Sequence, residues 1–456
     1  MPVRSSSSPA ALETLTAQLL DAAKAAGAES ADAIAVAGDS LSIEVRMGAL
    51  EQAERAEGVD IGLRVLVGQR QACVSSSHTR PETLAAMAER AVAMAREAPE
   101  DPWCGLADPA QLASGWDTAA LDLVDPEAMP SAEALQATAL EAEAAALAVP
   151  GVTKLDGTGA SWSASRIHLA ATNGFSGGYG HTGHAIQAVA ISGEGTAMER
   201  DHAWDSRLHR GDLDAPAAIG RLAGERAVAM RGATKPPTGA FPVVYDERVA
   251  SGLIGHLLQA INGVSVARGA TWLADELGER VLPAGLDLVE DPARPRVPGS
   301  RPFDAEGLPV ARRAIVADGV LTGWILDLAT GRQLGMASTG NAGRGTSAPP
   351  GPGVGNLALT QGAVSRDGLL KEMGTGLLVT ALIGASINAT TGDYSRGASG
   401  FWVENGQIVH PVEEITIAGN LKDMFQGIVA VGADAYNYGA KTTGSILVNR
   451  MKVAGS

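Results

Sequence analysis

The chain is 456 residues long, more than one ordinary core accommodates and about right for two or three domains. Hydrophobic residues are 45% and charged residues 19%, which excludes a disordered chain, and the 56 glycines follow no tripeptide period, which excludes collagen. With 35 Lys+Arg against 51 Asp+Glu the formal charge is −16, and no Lys/Arg run makes a basic stripe, so the composition argues against direct nucleic-acid binding.

In chain order, the first residues (MPVRSSSSPAALETLTAQLL) lack an apolar run ahead of a small-residue cleavage site, so no signal peptide is expected. The spacing of Leu12, Leu15, Leu19 and Leu20 predicts a helix from Pro9 to Gly27. Short alternating runs follow, ADAIAVAG and LSIEVRMG. The stretch GVDIGLRVLVGQRQACVSSS then reads as a hairpin, with Ile61, Leu63, Val65 and Val67 on one face and Gly68-Gln69 near the turn. A strong helix is expected after Thr79, stopping before Pro99. Residues 99–130, rich in Pro, Asp and Gly, read as a linker. The order then repeats, with a helix at about 131–148, strands from 152 to about 204, and a helix at about 214–231.

Helix, antiparallel strands and helix, twice over, predict an α+β N-terminal domain over 1–233, made of two similar halves at 9–98 and 130–232. Thr234–Gly239 (TKPPTG) marks the boundary. From 239 to 456 one apolar helix at about 246–264 is followed by short strands separated by glycine, which predicts a mainly β domain of barrel or sandwich type. Asp318-Gly319 and Asn405-Gly406 read as type I′ hairpin turns, whose two central residues both need positive φ. Residues 342–356 (AGRGTSAPPGPGVGN) read as a flexible loop, because their Pro and Gly content does not build an element. Aromatics are only 4%, so the core is expected to be Ala, Val, Leu and Ile.

Two cysteines, Cys73 and Cys104, point to a reducing compartment rather than a disulfide framework. The most apolar stretch, Gly376–Ala389, is interrupted by glycines, Ser386 and Asn388 and falls short of the ~20 residues of a membrane helix. A cytoplasmic protein without membrane contact is the expectation.

Four stretches of the C-terminal half carry a resemblance: SRPFDAEGL (Ser300–Leu308), KEMGTG (Lys371–Gly376), GDYSRGASGFWVEN (Gly392–Asn405) and EITIAGNLKD (Glu414–Asp423). In this order, and with GVDIGLRVLVGQRQA near the N-terminus, they resemble the TldD/PmbA family, and its TldE (PmbA) branch in particular. The resemblance implies a two-domain subunit that pairs with a TldD-type metallopeptidase to act on unfolded or leader peptides. In the TldD branch a helix carries His-Glu-x-x-x-His, and a cysteine near the C-terminus completes a zinc site. Imidazoles and a thiolate hold the ion, and the carboxylate serves as base.

The corresponding helix here reads Gly255-His256-Leu257-Leu258-Gln259-Ala260-Ile261. With His256 in the first histidine position, Leu257 replaces the glutamate and Ile261 the second histidine. A shift of two residues puts Ile254 and Gln259 there instead. No cysteine follows Cys104, and Tyr438–Gly444 has none. The resemblance therefore implies no catalytic residue and no metal on this chain, with His256 as the remnant of the motif and zinc expected on the partner.

Other constellations are weaker. His181 and His184 lie three apart in a predicted strand, hence on opposite faces. His202 and His209, with Glu199 and Asp201, leave a loop-built site open, although polar surface histidines are the default. Asp393, Tyr394, Ser395 and Arg396 form a polar cluster that either faces a peptide cleft or partner subunit, or satisfies an irregular turn between Gly392 and Gly397. Gly340–Gly345 (GNAGRG) lacks the Gly-Lys-Ser/Thr ending of a phosphate loop. The rival reading of the whole chain is a non-proteolytic protein-binding modulator, of gyrase or antitoxin type.

Overall fold

The computed structural model describes residues 8–455; the segment read above for an export signal begins outside them. Helix α1 (Pro9–Ala25) starts at Ser8, whose hydroxyl accepts the Ala11 N–H. Strands β1 (Ser30–Arg46), β2 (Ala49–Val67) and β3 (Arg70–Ser76) follow, then α2 (Pro81–Glu97) and a single turn, α3 (Thr118–Leu121). The second half supplies α4 (Ala132–Leu147), β4 (Val152–Ala171), β5 (Ser176–Ser192), β6 (Glu199–Arg207) and α5 (Pro216–Ala229). One antiparallel sheet joins the halves in the order β3-β2-β1-β4-β5-β6. The first strand of each half therefore meets the other at the centre. ADAIAVAG and LSIEVRMG, read above as separate runs, form a single strand, because Gly38 stays in register with Gly58 on one side and Ser165 on the other.

Period-two alternation decides what covers each face. Ala31, Ala33, Ala35 and Ala37 of β1, with Ile61, Leu63 and Val65 of β2, pack under Leu12 and Leu19 of α1 and Leu84, Ala88, Ala91 and Ala95 of α2. Farther along the same face, Leu41, Ile43 and Val45 lie under Leu135 and Ala139 of α4. Small side chains on the strands let the helices sit close, as the scarcity of aromatics requires. On the opposite face Ile34 and Leu169 meet Phe175 and Phe303, with Trp116 and Tyr179 alongside, so aromatics concentrate where the sheet meets the rest of the chain.

Residues 99–130 are not a free linker. Leu121, Leu123 and Asp125 are buried, and the Arg332 guanidinium donates to the carbonyls of Trp103 (3.0 Å) and Leu106 (2.7 Å). A segment with the composition of a loop is ordered here by tertiary partners for its backbone.

The C-terminal region contains β7 (Gly239–Tyr245), α6 (Glu247–Ala260), α7 (Gly263–Ala267), β8 (Leu288–Glu290), β9 (Arg313–Ala317), β10 (Val320–Leu321), α8 (Leu328–Gln333), β11 (Ala342–Gly343), β12 (Gly351–Pro352), β13 (Leu357–Leu359) and α9 (Arg366–Met373). Next come β14 (Gly376–Ile387), β15 (Asp393–Glu404), β16 (Gln407–Asn420), α10 (Leu421–Gln426), β17 (Ile428–Val431), β18 (Tyr436–Tyr438), β19 (Lys441–Thr443) and β20 (Ile446–Ala454). Strands β16-β15-β14-β7-β20 close on themselves through the β16–β20 pairing, and β17 extends β20. A second sheet runs β10-β9-β8-β13-β19-β18. The α+β class and the β-rich, barrel-containing C-terminal half agree with the sequence reading.

Leu253, Ile254, Leu257, Leu258 and Ile261 of the α6 segment share one core with Val243, Leu377, Val379, Ile415 and Ile417 of the barrel. At about 2 kcal/mol per buried side chain, that stripe contributes on the order of 10 kcal/mol before conformational entropy is charged. Both hairpin turns have the required geometry, with φ of 47° and 78° at Asp318-Gly319 and 52° and 73° at Asn405-Gly406. Residues 342–356 differ from expectation. They form the β11–β12 ribbon, Asn356 is buried, and Thr346 lies so close to Gly62 that a Cβ there would overlap its carbonyl. Glycine on β2 makes that approach possible.

Candidate functional site

The helix that carries the degenerate motif is held by its apolar side. Leu257 and Ile261, which the resemblance aligns with the glutamate and the second histidine, are wholly buried in the barrel core. In the shifted alignment Ile254 is buried and Gln259 is exposed. His256 is half-buried, its ring edge-on to Tyr394 at 5.8 Å. Burial first, then the charges of Arg396 and Lys441, push its pKa down, so it is a neutral imidazole near pH 7. Among the described residues no three His, Cys, Asp or Glu side chains converge so as to hold a metal ion.

Asp393–Arg396 open a regular strand, β15, rather than lying in an irregular turn, and strand alternation divides them. Asp393 is exposed and accepts from Thr391 Oγ1 (2.7 Å) and Asn420 Nδ2 (3.4 Å), which ties up the turn before the strand. Tyr394 points inward; its hydroxyl and that of the fully buried Tyr245 are 3.4 Å apart. Burial, then Tyr394, raises the Tyr245 pKa well above its ordinary value. Arg396 shares the inner face with Tyr394 and donates from Nε to the Gly384 carbonyl at 2.7 Å. Ser395 falls on the other face.

Strand β14 is the open feature beside them. It pairs with β7 only over Leu377–Val379, yet continues along β15 to Ile387. From Ala381 onward it has no second neighbour among the described residues, and Ile383 is 71% exposed. A half-paired strand of this kind presents main-chain donors and acceptors that an extended chain can match.

The histidines regroup. His181 and His184 take opposite faces of β5, whose register against β4 is uninterrupted between them, from Ser165 to Trp162. His184 and His209, both buried, flank Asp125, with His184 Nε2 3.2 Å and His209 Nδ1 3.9 Å from its carboxylate. Asp125 also accepts the backbone N–H groups of Arg210 and Glu127. Burial lowers the His184 pKa against the opposing pull of Asp125. Glu199, Asp201 and His202 lie on strand β6 rather than in a loop, apart from His209. Asp201 is clamped by Arg248 of α6 through bonds of 2.8 and 3.0 Å, so this carboxylate serves to join the sheet edge to the barrel helix.

The sequence reading missed the polar seam between sheet and barrel. Asp32 receives Arg64 on one carboxylate oxygen (Nε at 2.7 Å) and Arg344 on the other, and all three side chains are at most 5% exposed. A cavity of about 470 Å³ adjoins them, lined by Arg64, Gln71, Cys104, Arg268, Glu306 and Asp327 among others. Burial, reinforced by Asp304, pushes the Glu306 carboxyl up to about 8, which keeps it protonated at neutral pH. No spacing rule links positions 32, 64, 306 and 344. The only available signal was the polar pair Asp304 and Glu306 inside SRPFDAEGL.

A helix-backed antiparallel sheet seated on a closed barrel defines a class of protein. Family models match in three consecutive parts: PmbA/TldA metallopeptidase domain 1 over residues 31–95, the central domain over 124–231 and the C-terminal domain over 238–455. The chain is 38% identical to Metalloprotease PmbA of Escherichia coli O157:H7 over 91% of its length and 90% of that protein. It is 34% identical to a Metalloprotease PmbA homolog of Haemophilus influenzae, over 96% and 94% respectively. Among solved structures, TldE from Thermococcus kodakarensis superposes with a TM-score of 0.84 at 20% identity, covering 97% of this chain and all of that one. A Bacteroides thetaiotaomicron protein described as a candidate modulator of DNA gyrase gives 0.91 at 25% identity, covering 98% and 100%. The chain belongs to the PmbA/TldD metallopeptidase family, in its PmbA branch.

Proposed function

We propose that this chain is the metal-free subunit of a two-chain peptidase. A TldD-type partner supplies zinc and the general base, and this subunit walls the chamber and holds unfolded or leader peptides. The observation that carries the reading is the burial of Leu257 and Ile261 where the motif requires a carboxylate and an imidazole. Neither side chain can bind an ion or move a proton, and both are committed to the barrel core.

The open stretch of β14 supports the peptide-holding role. A peptide laid along Ala381–Ile387 gains main-chain hydrogen bonds irrespective of its sequence, whereas most of the backbone of a folded protein is already paired within its own structure. Cytoplasmic action fits the two free cysteines, and no helix among the described residues is long and apolar enough to cross a membrane.

The test is metal content and peptide cleavage by the chain alone, then mixed with a TldD-type partner. One zinc per pair and cleavage only in the mixture are expected. Stoichiometric zinc and cleavage by the isolated chain would overturn the proposal. The second reading, a non-proteolytic modulator, draws on the gyrase-related description of the Bacteroides structure. It gains if the pair forms and binds protein yet cleaves no unfolded peptide.

A further inference from the structure

Helix α1 and strands β4 and β5 border a cavity of about 500 Å³, lined by Leu12, Glu13, Val124, Arg166, His168 and Ser176 among others. In the strand register His168 stands opposite Gly178, and Ala170 opposite Ser176, so His168 and Ser176 share the face that α1 covers. A Cβ at Gly178 would stand 3.1 Å from the imidazole Cδ2, so glycine leaves that ring edge uncovered by the neighbouring strand. Thr16 of α1 is wholly buried, and its one hydroxyl hydrogen goes to the Glu13 carbonyl at 2.9 Å. Toward His168 Nδ1, 2.8 Å away, the same oxygen therefore accepts. That fixes the tautomer: Nδ1 carries the proton and Nε2 keeps its lone pair. Ser176 is the exposed first residue of β5, and its Oγ lies 3.4 Å from that Nε2. Burial pushes the His168 pKa down against the opposing pull of Glu13, so the imidazole is unprotonated at neutral pH. Hydroxyl, base and orienting group thus stand in the order that activates a nucleophile, at a separation that such sites shorten when substrate binds.

We propose that Ser176, His168 and Thr16 form an acyl-transfer site for small carboxylic esters, separate from the peptidase role proposed above. Ser176 Oγ bonds to the ester carbonyl carbon while its proton passes to His168 Nε2. The bond to the alcohol oxygen then breaks, and that oxygen takes the proton. Water attacks the acyl-serine in turn, its proton moving through Nε2 to Oγ, and the acid leaves. Thr16 is a positioning residue that holds the ring in the required tautomer. Leu12 and Val124 give the acyl chain an apolar wall. Arg166, two positions before His168 on the same face, is the cation lining the cavity and supplies positive charge for the oxyanion.

The experiment treats the full chain, with EDTA throughout, with a biotinylated fluorophosphonate and separately with p-nitrophenyl butyrate. Peptide mapping by mass spectrometry should place the phosphonate on Ser176. Ser176→Ala should lose that label and lower ester hydrolysis by about a hundredfold or more, and His168→Gln should lower it as much. Ser176 is exposed, so its variant keeps the test decisive if the buried His168 proves necessary for folding. Thr16→Val should lower kcat about tenfold with KM unchanged and slow phosphonate labelling in step, which a loss of stability alone does not do. No label on Ser176, or hydrolysis undiminished in Ser176→Ala, overturns the site and leaves the peptidase reading untouched.

Discussion

Asp32→Asn is the most informative single change in this molecule. Asp32 sits between the guanidiniums of Arg64 and Arg344, with side-chain exposures of 5%, 5% and 0%. Burial by itself would raise its carboxyl, but the two cations outweigh burial and hold it below its usual range. An amide in its place strands two buried positive charges facing each other. Removing one member of a buried ion pair costs about 3–5 kcal/mol, and this case belongs at the upper end because two partners lose their counter-ion. For a unit of some two hundred residues each kcal/mol moves Tm by about 2–4 °C, so a drop of about 10 °C or more is expected in circular-dichroism melts at pH 7.

Arg344→Met should cost only about 1–3 kcal/mol, because Asp32 and Arg64 remain as a neutral pair. The double variant should lose clearly less than the sum of the two single changes, since it carries one stranded cation rather than two. The pH dependence follows in sign. A carboxyl whose folded pKa is depressed contributes stability above the unfolded value of about 3.9 and loses it as pH falls through the folded value. The wild type should therefore weaken as pH falls below about 4 by an increment that Asp32→Asn lacks. A cost below about 1 kcal/mol for Asp32→Asn, or strict additivity in the double variant, would refute this account of the seam.

Gly62→Ala should wedge the 342–352 ribbon away from β2 and expose it to limited proteolysis, whereas Gly58→Ala, with open space around it, should not; equal cleavage of the two variants would count against the contact. Glu306, with its carboxyl raised to about 8, stabilises the fold at low pH and loses that contribution progressively as pH rises from its unfolded value near 4.3 toward 8. Glu306→Gln should therefore narrow the difference in Tm between pH 5 and pH 8, and an unchanged difference would argue that the carboxyl is ionised throughout. Arg248→Met removes both bonds to Asp201 and should destabilise by about 2 kcal/mol. In a double-mutant cycle with Asp201→Asn that loss should appear mostly as coupling, and independent effects would show that the clamp carries little energy.

What the sequence determined on its own is what local pattern encodes. The alternation of Ile61, Leu63 and Val65 requires a strand with one buried face, and the pairs Asp318-Gly319 and Asn405-Gly406 require hairpins. Leu257 and Ile261 in the motif helix were already visible as residues unable to bind zinc, and the family could be read from ordered motifs. The seam was out of reach, because Asp32 and Arg344 are 312 residues apart and no local period connects them. Only the topology of a sheet docked on a barrel brings them together. The same holds for Asp125 between His184 and His209, and for residues 99–130, whose loop-like composition conceals tertiary partners. Arg396 could be named in advance as part of a polar cluster. That it bonds the Gly384 carbonyl of a strand left half-paired depended on where β14 outruns β7, and a chain read residue by residue carries no record of the length of a strand's neighbour.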